Sequence, residues 1–387
     1  MKNKLFNFLK RSVSLLVVAV MAISFSLIFT AEEETTGNPF DYTWLNRTPS
    51  GSYGNLTVDE DGFAFKQGGI KTTVRFFGVD FSFTDGIPSP EESEAIAKDL
   101  YNCGINLVRC KDLYSALTTG GQIDDAKFEQ FDNFVHSLYS NGIYIEADMF
   151  TTSSLGTNTV GAFVDEAAVS RAILFLKAFF THVGLNNQMT YAEDPTIAIV
   201  KYIDSAAISY LNEGETLAHA GVLQPEFNKW LIEKYKDRAT LQTAWTSVSG
   251  VCVLGESEDP NAGTVAIGTI GNMEDVKLSA DVQNNARQAD FAEFLVSVQT
   301  KTYNRLKDSL LSYGFKSVFM CSDASTGPLS TKLSGMGDIA GKSLYLAEGD
   351  TLEDAFGKIG SGVIAGKPFV AHFDSDNIRC DYTFCGC

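Results

Sequence analysis

Basic residues are scarce in this chain of 387. Thirty lysines and arginines stand against 48 aspartates and glutamates, a formal charge of −18. Nucleic acid and anionic membrane surfaces are recognised through basic patches, so this balance argues against both as partners and fits a soluble extracellular protein. Histidine numbers only four. The tail CDYTFCGC, which holds Cys380, Cys385 and Cys387, lacks a nearby histidine ligand set. No metal is therefore expected there, and no cofactor is expected elsewhere. The other four cysteines, Cys103, Cys110, Cys252 and Cys321, are scattered. An odd total of seven leaves at least one free or paired between molecules in an oxidising compartment. No internal repeat is visible, which argues against a repeat architecture.

A long apolar run occurs at the start. Lys2, Lys4, Lys10 and Arg11 form a basic head, and an uncharged stretch follows from about Val13 to Thr30. This is a signal-peptide pattern, although Phe29 is large for a position before cleavage at Ala31. The run also nears the length that spans a bilayer, so an uncleaved anchor is the alternative. Both readings place the remainder outside the cytosol, secreted or tethered by residues 13–30. The segment to Ala31 carries four bases and no acid, so its removal takes the formal charge from −18 to −22.

The organisation expected is 1–31 as signal peptide or anchor, 32–69 as linker and lead-in, and 70–387 as one folded unit. From Glu32 to about Gly54 the chain is polar and rich in turn formers. Beyond it, apolar runs alternate with helical patterns. Residues 72–83, 105–110, 143–150, 197–204, 317–323, 340–346 and 367–373 read as strands. Residues 89–104, 124–142, 165–184, 227–245 and 286–314 read as helices. Ser89 with early acids opens one helix, and Gly104 and Gly142 stop two of them. In the helix over 227–245, Phe227, Trp230, Leu231 and Lys234 share a stripe that reads as core. Strands alternating with helices argue for a parallel sheet with right-handed crossovers. About seven such units point to a (β/α)8 TIM-type barrel rather than an open sheet. The chain after residue 373 is too short to supply both an eighth strand and its helix, so the barrel is expected to be incomplete there, with Asp381–Phe384 a partial strand at most.

The runs RFFGVDFSF, AKDLYNCGINLVR and FDNFVHSLYSNGIYIEADMF resemble the first three strands of the clan A glycoside hydrolases, the cellulase- and β-galactosidase-like barrels. DPTIAIVKYID resembles the approach to the fourth strand, FNKWLIEKYKDRATLQTAW the helix after it, and GKPFVAHF the seventh strand. Together these span roughly residues 70 to 375. The resemblance implies a TIM barrel acting on β-linked oligo- or polysaccharide. It also implies two glutamates, an acid/base after the fourth strand and a nucleophile after the seventh, about 5 Å apart in retaining enzymes.

This chain departs from the pattern at both places. Asp204-Ser205 stands where the resemblance calls for Asn-Glu, and Phe373, preceded by His372, stands where the nucleophile belongs. Cys110-Lys111, Phe150 and Ser343 replace histidines common in the family, while Arg109 and Tyr345 are kept. The implied glycan contacts are Arg109, Asp148, Asp204, Ser205, Tyr345 and His372, with hydrolysis lost. The alternative is a shifted alignment in which Glu213 is the acid/base and Asp374, or Asp376, the nucleophile of an active retaining β-glycosidase. A third reading, a metal-dependent barrel enzyme, uses Asp80, Asp112, Glu146 and Asp148.

Overall fold

The computed structural model describes residues 46–59, 62–204, 217–267, 282–324, 334–345 and 367–374, with 353, 354 and 357 besides. The apolar N-terminal run, Ser205, Glu213, Asp376, the tail cysteines and Asp381–Phe384 lie outside the described residues.

The chain enters through an antiparallel sheet of β1 (Leu56–Asp59), β2 (Gly62–Gln67) and β3 (Ile70–Thr73). Gln67 pairs with Ile70, so Gly68 and Gly69 form a two-residue turn. Their φ values of 57° and 84° are the left-handed conformation that such a hairpin requires. The expected strand over 72–83 is two strands. Thr72 and Thr73 finish β3, and β4 (Gly78–Ser82) pairs with a different sheet. Asn106 holds the link between them, donating to Arg75 O at 2.9 Å and accepting from Phe77 N at 2.8 Å.

The units that follow are α1 (Pro90–Asn102), β5 (Leu107–Lys111), α2 (Leu113–Leu117), β6 (Thr118–Thr119) and β7 (Gln122–Ile123), then α3 (Asp125–Ser140), β8 (Tyr144–Phe150), α4 (Gly161–Val164), α5 (Glu166–Thr181) and β9 (Ile197–Ile203). After these come α6 (Ala220–Tyr235), α7 (Arg238–Ala244), α8 (Val282–Ser312), β10 (Val318–Met320), β11 (Asp323–Ala324), β12 (Ala340–Tyr345) and β13 (Phe369–Asp374). The helix starts follow their caps. Ser89 and Glu92 form a reciprocal capping box, and Asp124 and Asp165 accept backbone N–H groups of α3 and α5. The helix expected over 227–245 is instead α6 and α7. Lys236 turns to a φ of 72°, and Asp237 then caps a fresh start.

The fold is α/β with a parallel central sheet in the order β4-β5-β8-β9-β10, and β11-β12-β13 form a second parallel sheet. The segment Val318–Ala324 belongs to both, β10 pairing with β9 and β11 with β12. His372 of β13 lies 3.1 Å from Glu146 of β8, so the two sheets face each other across a shared interior. Every residue of β8 and β9 is buried, as expected of strands covered on both faces. The amino end of this interior is stoppered by the hairpin sheet. Leu56 and Phe65 pack on Leu107, Tyr144, Ile199, Val318 and Met320, with the Phe65 and Tyr144 rings stacked at 4.7 Å. The polar side chains gather at the other, carboxyl end. Among the described residues β4 pairs only with β5, and β13 only with β12.

Candidate functional site

At the carboxyl end the strands bring together Asp80 of β4, Arg109 of β5, Glu146 and Asp148 of β8, Lys201 of β9, Asp323 of β11 and His372 of β13. Lys201 is the centre. Its Nζ lies 2.7 Å from Asp148 Oδ2, 2.9 Å from Asp204 Oδ1 and 3.0 Å from Asp323 Oδ2. His372 is clamped between two acids, Nδ1 lying 2.9 Å from Asp323 Oδ1 and Nε2 3.1 Å from Glu146. Arg109 bonds Asp80 through Nη2 and places Nη1 3.7 Å from Asp323. Ser343 of β12 donates to Asp323 Oδ2 at 2.9 Å. Asp323 thus accepts hydrogen bonds from three strands and faces the Arg109 cation of a fourth.

Burial sets the charge states. The Lys201 side chain has no solvent exposure. Burial alone would lower its pKa, but Asp148 and Asp323 more than offset this, and the ammonium is held above its usual range. Burial pushes the Asp148 carboxyl up to about 7; Lys201 opposes the rise, and the neighbouring charge of Asp204 adds to it. Asp323, equally buried, is held well below the usual carboxylate range because His372, Lys201 and Arg109 outweigh its desolvation. His372 is desolvated too, yet Asp323 and Glu146 raise it to about 9, so it is a buried cation at neutral pH. Three cations therefore hold five carboxylates, and each carboxylate has a cation beside it. Some donors and acceptors stay unmatched, notably Arg109 Nε and Nη1, Glu146 Oε1 and both Asp148 oxygens.

Of the residues expected to contact glycan, Arg109, Asp148, Asp204 and His372 meet in this cluster. Asp148 is wholly buried, and Arg109 and His372 are nearly so. Only Asp204, with 21% of its side chain exposed, reaches the mouth. Tyr345 and Asp374 stand opposite each other at the ends of β12 and β13, described by their backbone alone. Of the acids in the metal-dependent reading, Asp80, Glu146 and Asp148 each face a cation of the protein. Asp112 accepts from Ser115 Oγ at 2.8 Å and Thr151 Oγ1 at 3.2 Å. Among the described residues no group of three or more His, Cys, Asp or Glu side chains is placed so that it could hold a metal ion. Cys110, Cys252 and Cys321 are free thiols.

Sequence reasoning passed over Lys201 and Asp323. A signal for the first was present. A lysine inside the apolar run IAIVKYI must bury its charge, and a buried charge needs partners.

The cluster is poorly suited to several chemistries. A Schiff-base lysine needs a neutral amine, and Lys201 is protonated. Retaining glycoside hydrolysis needs one ionised carboxylate and one carboxylic acid, both touching the sugar. Glu146, Asp148 and Asp323 cannot reach a sugar. Asp204 and Asp80, the two with exposed surface, are each held by a cation.

No protein-family profile matches this chain, and no curated relative matches it. Among solved structures it is similar to an exo-β-agarase at 15% identity, with a TM-score of 0.43, over 73% of this chain and 34% of that one. A second agarase is similar at 11% identity with a TM-score of 0.42, over 66% of this chain and 33% of that one. An endo-1,4-β-D-mannanase from Thermotoga petrophila is similar at 12% identity with a TM-score of 0.32, over 78% of this chain and 88% of that one. The match thus spans about a third of the length of the agarases. Likenesses this distant say nothing of activity.

Proposed function

We propose that this chain is a glycoside hydrolase-like TIM-type barrel that binds β-linked oligo- or polysaccharide with little or no hydrolysis. One observation carries the reading: Asp80, Glu146, Asp148, Asp204 and Asp323 are each tied to Lys201, Arg109 or His372, and the most buried cannot touch a substrate. Ser205 and Phe373, at the places the resemblance assigns to the catalytic pair, have no carboxylate to add. The described strands from β4 to β13 supply seven of the eight parallel positions of such a barrel. The acidic charge and basic-apolar N-terminal pattern support an exported protein, either secreted or tethered by residues 13–30.

The second reading is an active retaining β-glycosidase using Glu213 and Asp374. The placement of Asp374 at the carboxyl end of β13 favours it. Purified protein assayed across aryl β-glucosides, galactosides and mannosides separates the two. The binding reading expects no turnover, with retention on a β-glycan in affinity electrophoresis. Turnover abolished by Glu213→Gln would establish the second reading instead.

A further inference from the structure

Beside the ion-paired cluster, the loops after β4 and β5 and one face of α3 enclose an open cavity of about 460 Å³. Thr84, Ile87, Lys111, Asp112, Lys127 and Gln130 are among its walls. We infer that this cleft binds an anionic sugar residue, a pyranose bearing a carboxylate or a sulfate, with Lys111 and Lys127 as its charge partners. The inference rests on the carbohydrate-binding reading above and deepens it by naming the class of glycan.

The argument is one of charge left over. In a chain with a formal charge of −18, most cations at this end of the fold are consumed by carboxylates. These two are not. Lys127 Nζ donates to the neutral carbonyl of Thr118 at 2.7 Å, and among the described residues no carboxylate pairs with it at contact distance, Asp124 acting on it from farther away. Lys111 Nζ stands 3.7 Å from Asp80 Oδ2, beyond hydrogen-bond reach, and Asp80 is already bonded to Arg109. About a third of the Lys111 side chain is open to solvent. The acid in the wall, Asp112, is turned to the hydroxyls of Ser115 and Thr151.

The rest of the lining suits a sugar. Gln130 offers an amide, Thr84 a hydroxyl, and Ile87 an apolar surface for a pyranose C–H face. The volume lies in the range of small-molecule sites. A neutral sugar would leave Lys127 with a carbonyl and Lys111 with the longer contact to Asp80, whereas an anionic one supplies each with a charge-assisted acceptor.

The test is calorimetric titration of the full chain with three probes: an oligogalacturonate, a sulfated galactan oligosaccharide and a neutral manno-oligosaccharide. Lys111→Met and Lys127→Met are run alongside, with melting curves to confirm that each variant folds. Lys111→Arg serves as the charge-preserving control. The expected result is binding of an anionic probe that weakens as salt rises. Each Met variant should lose affinity by about tenfold or more, a factor worth about 1.4 kcal/mol, while Lys111→Arg keeps most of it. The carboxylated and sulfated arms tell which anion is preferred. If the neutral probe binds as well and both Met variants match wild type, the inference falls and the glycan-binding reading stands. If no probe binds, both fall.

Discussion

Lys201 Nζ lies 2.7 Å from Asp148 Oδ2, and neither side chain is exposed to solvent. The same ammonium also serves Asp204 and Asp323. One cation thus ties β8, β9 and β11 together, and its removal would leave three carboxylates facing one another. Breaking a buried pair from one side costs about 3–5 kcal/mol because the abandoned charge stays buried. Lys201→Met is expected to lose at least that much in chemical denaturation. Lys201→Met combined with Asp148→Leu should recover part of it, since a matched apolar pair removes the orphaned charge. A Lys201→Met protein as stable as wild type would refute this role for the ammonium.

The raised pKa of His372 sets an alkaline limit. Its folded value of about 9 exceeds the ordinary 6.5, so its stabilising contribution is complete below pH 6.5 and is lost as pH rises through 9. Complete loss corresponds to about 3 kcal/mol. Asp148 acts in the same direction at lower pH. Its folded form prefers the proton, so stability is lost between its ordinary 3.8 and about 7. Asp323 and Glu146 act oppositely. Their depressed pKa values give stability that is present above 3.8 and 4.5 and is lost in acid. Melting temperature should therefore fall from pH 6.5 to 9, and His372→Gln should flatten that fall while lowering the starting value. A fall of equal steepness in the variant would assign it to other groups.

Away from the strands, Asp290 of α8 gathers α6 and α7. It accepts from Trp245 Nε1 at 2.7 Å, Tyr235 OH at 2.7 Å and Lys234 Nζ at 2.8 Å. Trp245 is 1% exposed, whereas Trp230 is half-buried, stacked beside Phe227 with Lys234 Nζ 4.7 Å from its ring centroid. Trp245→Ala should cost about 3–5 kcal/mol, the range for buried large aromatics, and Trp230→Ala distinctly less. Asp290→Ala should cost about 2 kcal/mol or more, since it strips three donors of their acceptor. Urea denaturation of the three variants gives the ranking, and Trp230→Ala as the most damaging would overturn it.

The helices were legible because their signals are local. Ser89 with Glu92, Asp124 and Asp165 mark starts within four residues of what they cap. The continuous apolar runs of β8 and β9 were legible for the same reason. The split of residues 72–83 was not, because the apolar pattern runs straight through Val74 while the hydrogen-bond partner changes from β2 to β5. The break at Lys236 was hidden in the same way, since the helical stripe resumes in register beyond it. The site was legible as a set of strand-end residues but not as a network. Lys201 and Asp323 are 122 positions apart, and only the pairing of β9 with β10 brings them together. Trp230, read as core from its stripe, is half-buried, with the Lys234 ammonium of the same stripe over its ring.

That network makes a prediction about one proton. Asp148 and Asp204 share the Lys201 ammonium, but Asp204 has 21% of its side chain in solvent and Asp148 has none. Water helps to stabilise the charge on Asp204, whose pKa is lowered, whereas Asp148 is wholly buried, is helped only by Lys201 and Arg109, and sits at about 7. The charge on Asp204 is one reason for the rise. Asp204→Asn removes that charge without removing the side chain's bulk, so Lys201 is left with one fewer anion to serve. The Asp148 midpoint should then move down. Carbon-13 NMR of side-chain carboxyls, with Asp148 assigned through Asp148→Asn, reads this directly. Wild type should show a resonance titrating near pH 7, and Asp204→Asn should bring it toward the ordinary carboxylate range. The stability lost between pH 3.8 and 7 should shrink with it. An Asp148 resonance already titrating near 4 in wild type would mean that Lys201 neutralises it fully. An unmoved midpoint in Asp204→Asn would leave burial as its sole cause.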